Sequence, residues 1–431
     1  MPEDHLARFV VEIVEQLDLA KLTTAYRGRG SDAYHPAMMV ALLFYGYATG
    51  VFSSRKLERA TYDSVAFRYV AANEHPDHDT IANFRKRFLK ELSALFVEIL
   101  GVAQQMGLLK LGKVSLDGTK IHANASKHSA LSWEYACKIE AQLKAEVEQL
   151  MRLAEEADAA QIPDGMSVPE ELQRREERLA AIAQAKAAIE ARAAERYARE
   201  RAAYEEKMAA RKAKEESGGR KPGGKPPAAP QPGPLAKDQV NLTDAESRIM
   251  PASGGGFEQA YNAQAGVDVG TMLVVEQHVS QSPNDKQGVK PTLANLDAVT
   301  PVIGKAEALL ADTGYFSADN VDQCHAHAVE PYIAAGHDAH YPALAERLSD
   351  PVPVEEDASP VERMKHRLRT PDGRAVYAKR KCTVEPTFGI IKSVLGFRQF
   401  LLRGLQAVEH EWTLVCIGWN LKRMHRLQTA V

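Results

Sequence analysis

A mixed α/β fold, a sheet flanked by helices with an all-helical N-terminal part and an inserted helical hairpin, is predicted by three features. Two short apolar runs each break at an aspartate with small neighbours, in Val114-Ser-Leu-Asp-Gly-Thr119 and Ala308-Leu-Leu-Ala-Asp-Thr-Gly314. Each reads as a buried strand delivering a carboxylate to its end. After the first of them, strand and helix patterns alternate in the order β-β-α-β-α-β-α, as in a sheet covered by helices. The third feature is residues 131–216, where Ala, Glu, Lys, Arg and Gln take over and interrupt that alternation.

At 431 residues the chain is long enough for two or three domains. Its net charge of −3 by itself suggests no polyanionic partner. Cys137, Cys324, Cys382 and Cys416 are scattered, with no metal-ligand or redox spacing, which suits a reduced intracellular compartment. The start MPEDHLARFV lacks the basic and apolar regions of a signal peptide, and no apolar run reaches the length of a membrane span.

The elements follow in order. Leu6, Phe9, Val10, Ile13, Val14 and Leu17 have helical spacing over residues 5–20. Pro36 suits a first helical turn, and residues 37–49 are apolar nearly all round, so that helix is expected to be buried. Ser53-Ser54 and Asp63-Ser64 can cap two short helices. Asp77 precedes a helix with anchors Ile81, Phe84 and Phe88 and the basic run Arg85-Lys86-Arg87. Such a cluster suits a DNA-binding module, and equally a plain bundle with a solvated basic face. Residues 92–106 form another apolar-periodic helix before the strand at 113–117. Leu143, Val147, Leu150 and Leu153, then Leu172, Leu179, Ile182, Ile189 and Tyr197, predict two long antiparallel helices, broken near Ile162-Pro-Asp-Gly165. Residues 217–238, rich in Gly, Pro and Lys, are expected to be a flexible linker. Residues 261–268 and 272–279 read as a hairpin, 284–299 as a helix, 306–311 as the second aspartate strand, 317–328 as a Ser317-capped helix and 331–335 as a strand. Residues 336–376 read as loop-rich, and a last apolar helix covers about 407–427.

The chemistry rests on Asp117, Asp312 and Glu385. A lone aspartate at a strand end is most often a turn or cap residue. Two in Asp-Gly-Thr and Asp-Thr-Gly settings, with a glutamate in a basic segment, point to a divalent-metal site on rigid elements. Gly118 and Gly314 would admit a substrate backbone. Between Arg363 and Arg403 eleven Lys and Arg face only Asp372 and Glu385, with Glu362 just before them, which suggests a polyanionic substrate. Glu385 and Lys392 are two helical turns apart, and Arg380 and Tyr377 can line the same groove. Pro386 disfavours helical geometry at Glu385 unless the helix starts there or kinks.

At these residues the chain resembles the DDE transposases of bacterial insertion sequences, in the subgroup with a Tyr-Arg-Glu-Lys signature. The likeness is carried by Val114-Ser-Leu-Asp-Gly-Thr-Lys120, Ala311-Asp-Thr-Gly-Tyr-Phe316, and Tyr377-Ala-Lys-Arg380 continuing to Glu385 and Lys392. It implies a ribonuclease-H-like catalytic domain at 107–130 and 239–431, after a DNA-binding helical domain at 1–106, with the arm at 131–216 and linker at 217–238 as an insertion. It implies DNA cleavage at element ends and 3′-hydroxyl strand transfer, with two Mg²⁺ ions, or Mn²⁺ in their place, on Asp117, Asp312 and Glu385. Tyr377, Arg380, Lys381 and Lys392, with Arg85, Lys86 and Arg87, would contact DNA. Four residues separate Arg380 from Glu385 where the signature has three, and Lys381 has the usual spacing, so either basic residue fits the role. The partners implied are double-stranded terminal inverted repeats and target DNA, with no membrane; the active complex would be a homodimer, cytoplasmic and associated with DNA. The alternatives are a ribonuclease-H-like nuclease without strand transfer and a non-catalytic DNA-binding relative.

Overall fold

Apolar periodicity through the first hundred residues does produce helices. The computed structural model describes residues 1–25, 34–156, 167–218, 224–252, 254–336, 353–355 and 357–429. Helix α1 (Leu6–Val14) buries Phe9, Val10, Ile13 and Val14, and α2 (Ala20–Thr24) buries Leu22. Helix α3 (Pro36–Thr49) starts on its proline, is buried on nearly every side and ends at Gly50, whose φ of 82° closes the helix left-handed. Ser53 and Ser64 precede α4 (Ser54–Asp63) and α5 (Val65–Val70), but neither side chain makes a capping bond. Asp77 does cap α6 (His78–Arg87), accepting from the Thr80 N–H at 2.7 Å. Helix α7 (Leu89–Gln105) leads to the sheet.

Strand β1 (Lys113–His122) is followed by β2 (Ala130–Ser132), α8 (Trp133–Glu156), α9 (Val168–Gly218), β3 (Gln239–Asn241) and β4 (Arg248–Pro251). Then come β5 (Phe257–Asp268), β6 (Val274–Ser280), α10 (Val289–Ile303), β7 (Ala308–Ala311), α11 (Ala318–Ala326) and β8 (Glu330–Ile333). The chain ends in α12 (Pro360–Arg369), α13 (Pro371–Ala378), α14 (Val384–Gly389) and α15 (Leu405–Gln428). Six strands form a mixed sheet in the order β4-β5-β1-β7-β8, with β6 also on β5. β5 is antiparallel to β1 and β6, whereas β1, β7 and β8 run parallel. β5 is buried at every residue from Gln259 to Asp268, as a strand covered on both faces must be.

One expectation changes here. Asp117 is not at the end of its strand, since β1 continues to His122. The extra length is held by β5, which pairs with β1 as far as His122↔Ala260. On the other edge the parallel ladder with β7 stops at Ser115↔Leu310. Asp117 therefore stands where β7 has run out, and Asp312 follows the last residue of β7.

Helix α15 joins the N-terminal helices to the sheet. Its Trp412 indole N–H donates to the Gln264 carbonyl at 2.9 Å, and that of Trp419 to the Met272 carbonyl at 2.8 Å. The Asn420 amide donates to the Val274 carbonyl and accepts from its N–H, so three polar side chains in an apolar helix are satisfied by the hairpin backbone. On its other contact, Gly418 lies against α3: a Cβ there would come 2.7 Å from the Tyr47 carbonyl carbon and 2.9 Å from the Ala48 nitrogen. Helices 1–106 thus share one compact unit with the sheet, covering Met1–Asn124 and Ile249–Val431. Replacing Gly418 by alanine gains up to about 1 kcal/mol of helix propensity. Overpacking against backbone that cannot rotate away costs roughly 1–3 kcal/mol. We expect Gly418→Ala to lower the urea midpoint; an unchanged or raised midpoint would show that α3 and α15 separate freely.

The inserted arm is a unit of its own, Ala125–Arg248. Helices α8 and α9 run antiparallel, since Lys186 bonds Glu140 and Arg175 bonds Glu146. β2 and β3 pair beneath them, and Leu131 and Val240 join Ala136, Leu143, Ile182, Ala185 and Ile189 in one apolar cluster. That shared core places both short strands with the helices. The described part of the Gly/Pro-rich stretch also belongs to this unit. Arg196 donates to Asp238 and to the Gly233 carbonyl, and Arg211 to the Gly224 carbonyl. The expected break at 162–165 and residues 337–352 of the loop-rich stretch expected at 336–376 lie outside the described residues; the later part of that stretch is helical instead, in α12 and α13, which start on Pro360 and Pro371 behind the capping side chains of Ser359 and Thr370.

Candidate active site

The three carboxylates expected to act together do meet, across 268 positions of sequence, at one arginine. Arg380 Nη1 lies 3.0 Å from Glu385 Oε1 and 3.5 Å from Asp117 Oδ2, and Nη2 lies 3.5 Å from Asp312 Oδ2. Local structure explains each placement. Asp117 is presented by β1 beyond the end of β7. Asp312 caps a single 3₁₀ turn, Thr313–Tyr315, its Oδ1 accepting from the Gly314 N–H at 2.8 Å. Glu385 is the second residue of α14, so Pro386 falls in the first turn, where a missing N–H leaves no bond unmade.

Electrostatics single out Asp117. Burial pushes its carboxyl up to about 6 from an ordinary 3.8, and the charges on Asp312 and Asp285 add to the rise. Arg380 and the Gly118 N–H work against it. Burial opposes the charge on Arg380, yet Asp117, Tyr377 and Asp312 push its pKa up. Tyr377 hydrogen-bonds Arg380, and its own phenol is raised by burial. Of the two basic residues open to the signature role, Arg380 therefore faces the carboxylates, whereas Lys381 is exposed.

Lys392 meets the same site from the next turn. Its ammonium donates to Thr119 Oγ1 at 3.1 Å and to the Lys120 carbonyl at 3.4 Å, just past Asp117. Burial and Arg398 lower its pKa. The turn at 390–394 has π geometry, with Leu395 N–H bonding the Ile390 carbonyl. The chain then pairs with the end of β1, through His122 N–H to the Arg398 carbonyl and Phe400 N–H to the His122 carbonyl.

Two sequence expectations need correction. Arg85 does not offer its charge to solvent. It is 8% exposed and donates to the Tyr47 hydroxyl and the Phe52 carbonyl, because it lies on the face of α6 that carries Ile81 and Phe84. Lys86 and Arg87 are the exposed members of that run, Arg87 reaching the Ala25 carbonyl. Nor is the space beside Gly118 open to a substrate. A Cβ there would lie 2.1 Å from Gln264 Nε2, 2.5 Å from Asp285 Oδ1 and 2.8 Å from Asn262 Oδ1.

Those three residues are the part of the site that sequence reading missed. Asp285 Oδ1 accepts from Asn262 Nδ2 at 2.6 Å, Gln264 Nε2 at 2.8 Å and Lys120 Nζ at 3.2 Å. Gln264 Oε1 in turn accepts from the Tyr315 hydroxyl. The signal available was small: Asn262 and Gln264 are polar at alternate positions within the otherwise apolar run from Ala260 to Val267.

Three carboxylates on rigid elements are an all-oxygen donor set of the kind a hard divalent cation takes. Among the described residues, however, no three His, Cys, Asp or Glu side chains close on one point as ligands; each carboxylate turns to Arg380 instead. The residues suit such an ion in kind, with a guanidinium where it would sit. Among the described residues, no single helix is long and apolar enough to cross a membrane. Residues 1–87 match the family model Transposase domain (DUF772), and residues 229–421 match the model Transposase DDE domain. Neither a curated protein nor a solved structure matches the chain.

Proposed function

We propose that this chain, whose two matched domains support a DDE transposase, cuts DNA at the ends of a mobile element and joins the freed 3′-hydroxyls to target DNA. The observation that carries this reading is the meeting of Asp117, Asp312 and Glu385 at one cationic point, from three elements far apart in sequence. A ribonuclease-H-like core is supported by the mixed sheet, with Asp117 on β1 and Asp312 directly after the end of the neighbouring parallel strand β7.

Asp117, Asp312 and Glu385 would hold Mg²⁺. Bound there, two such ions would supply Lewis-acid stabilisation of the attacking and leaving oxygens in an in-line displacement. The chain's own residues do the rest. Arg380, neutralising the carboxylates in the free protein, would be available to a DNA phosphate once they are otherwise engaged. Tyr377 orients that guanidinium. Lys392 and the exposed Lys381 add positive charge beside the scissile strand, and Lys86 and Arg87 supply phosphate contacts from α6. The active complex on two element ends would be a homodimer.

The decisive assay incubates the wild-type protein with its own flanking DNA, with Mg²⁺ or with EDTA. Mg²⁺-dependent nicking at the terminal repeats, and joining of pre-cut ends to a target duplex, are expected. Nicking without any joined product would assign a nuclease, and binding without nicking in either buffer would leave only a DNA-binding relative.

A further inference from the structure

Asp285 has no assigned role, yet it ties together every element that carries the site's aspartates. β-strand alternation puts Gly118 and Lys120 on the face of β1 opposite Asp117 and Thr119. The antiparallel register sets Gly118 against Gln264 and Lys120 against Asn262. Thr119 meets Lys392 and Asp117 meets Arg380, whereas Lys120, Asn262 and Gln264 converge on Asp285 Oδ1. The network closes on itself. Gln264 holds the Tyr315 hydroxyl, in the turn that Asp312 caps. Asn320 Nδ2 donates to the Tyr315 carbonyl at 2.7 Å and to the Lys286 carbonyl at 2.8 Å, returning to the loop that carries Asp285. Asn262 and Gln264 are fully buried, and Asp285 supplies an acceptor for both amides.

We propose that Asp285 is a positioning residue for the reaction, bracing Asp117 and Asp312 at working spacing from the opposite face of β1. Stability alone would not select this arrangement. A half-buried Lys–Asp pair with two buried amides gains little over apolar packing of the same shape. It also adds a third negative group beside Asp117 and Asp312. Gly118 follows from the same brace, because any side chain there would occupy the space of the Asp285 carboxylate and the two amides.

The inference rests on the transposase reading for its catalytic half, so two independent readouts are needed. Asp285→Ala and Asp285→Asn are compared with wild type in the full chain. The first readout is hydrogen exchange by mass spectrometry in EDTA without DNA. Exchange should accelerate in peptides covering 113–124 and 308–316 in Asp285→Ala, and less in Asp285→Asn, which keeps one acceptor oxygen for Lys120, Asn262 and Gln264. The second is cleavage of terminal-repeat DNA. A misplacement of about 1 Å predicts a kcat near 100-fold lower for Asp285→Ala with KM nearly unchanged, and partial rescue by Asp285→Asn. Unchanged exchange in both peptides overturns the brace whether or not the wild type cuts DNA. Should Asp285→Ala not fold, Asp285→Asn decides by the same two readouts. If the exchange effect is present and the wild type is inert, the transposase reading fails and the brace stands.

Discussion

Asp117→Asn is expected to abolish DNA cleavage and to make the metal-free protein more stable. The Asp117 carboxyl is raised to about 6 in the folded chain from 3.8, so the folded state binds its proton more tightly than the unfolded state does. Below about pH 4 both states are protonated and the group contributes nothing. As pH rises toward 6 the unfolded chain ionises first, and above pH 6 the folded state carries the whole penalty. A shift of about two units corresponds to roughly 3 kcal/mol. The asparagine keeps the shape and discards that penalty. In EDTA, urea unfolding should therefore show the variant close to wild type at pH 3.5 and more stable at pH 8. Cleavage of terminal-repeat DNA should fall by at least on the order of 10³-fold. A variant less stable than wild type at pH 8 would mean that Arg380 attracts Asp117 more strongly than burial penalises it.

This expected gain marks a site selected against its own stability, and it bears on what the sequence could show. Asp117 and Asp312 were legible because a polar residue at the break of an apolar run is a local signal. Glu385 was legible from its basic surroundings. The arginine that gathers them was legible as one of two basic residues near the signature spacing, but not as their common partner, since three ion pairs across three elements are set by tertiary packing. Asp285 left no local mark: it sits in a loop before α10, in a stretch that reads as the start of a helix. Its importance appears only once the register sets Gly118 against Gln264. Arg85 failed for the converse reason. Three consecutive basic residues read as one exposed face, but successive residues on a helix lie about 100° apart, so one of them turned to the core. The N-terminal helices merged with the sheet because α15, from the far end of the chain, is apolar enough to be packed on both sides.

Arg380→Ala should produce the opposite effect to Asp117→Asn. The guanidinium is the counter-charge to three carboxylates, and they are not equal. Asp117 is 18% exposed, against 39% for Asp312 and 49% for Glu385. The last two pairs are screened and contribute little, about 0–1 kcal/mol each. Removing the partner of a buried charge costs more, about 3–5 kcal/mol where burial is complete. Asp117 falls short of that limit and can take up a proton, so a loss of roughly 2–3 kcal/mol at pH 8 in EDTA is expected. The loss should fade as pH falls through about 6, where Asp117 is neutral and no longer needs a cation. Arg380→Lys should recover only part of it, because a single ammonium lacks the fork that spans all three groups. A divalent ion binding the folded state stabilises it by mass action, and in Arg380→Ala no guanidinium competes for the carboxylates. Mg²⁺ should then raise the unfolding midpoint of Arg380→Ala by more than it raises that of wild type. Equal shifts in the two proteins would show that the ion binds away from Asp117, Asp312 and Glu385, and would remove the ground for placing the chemistry there.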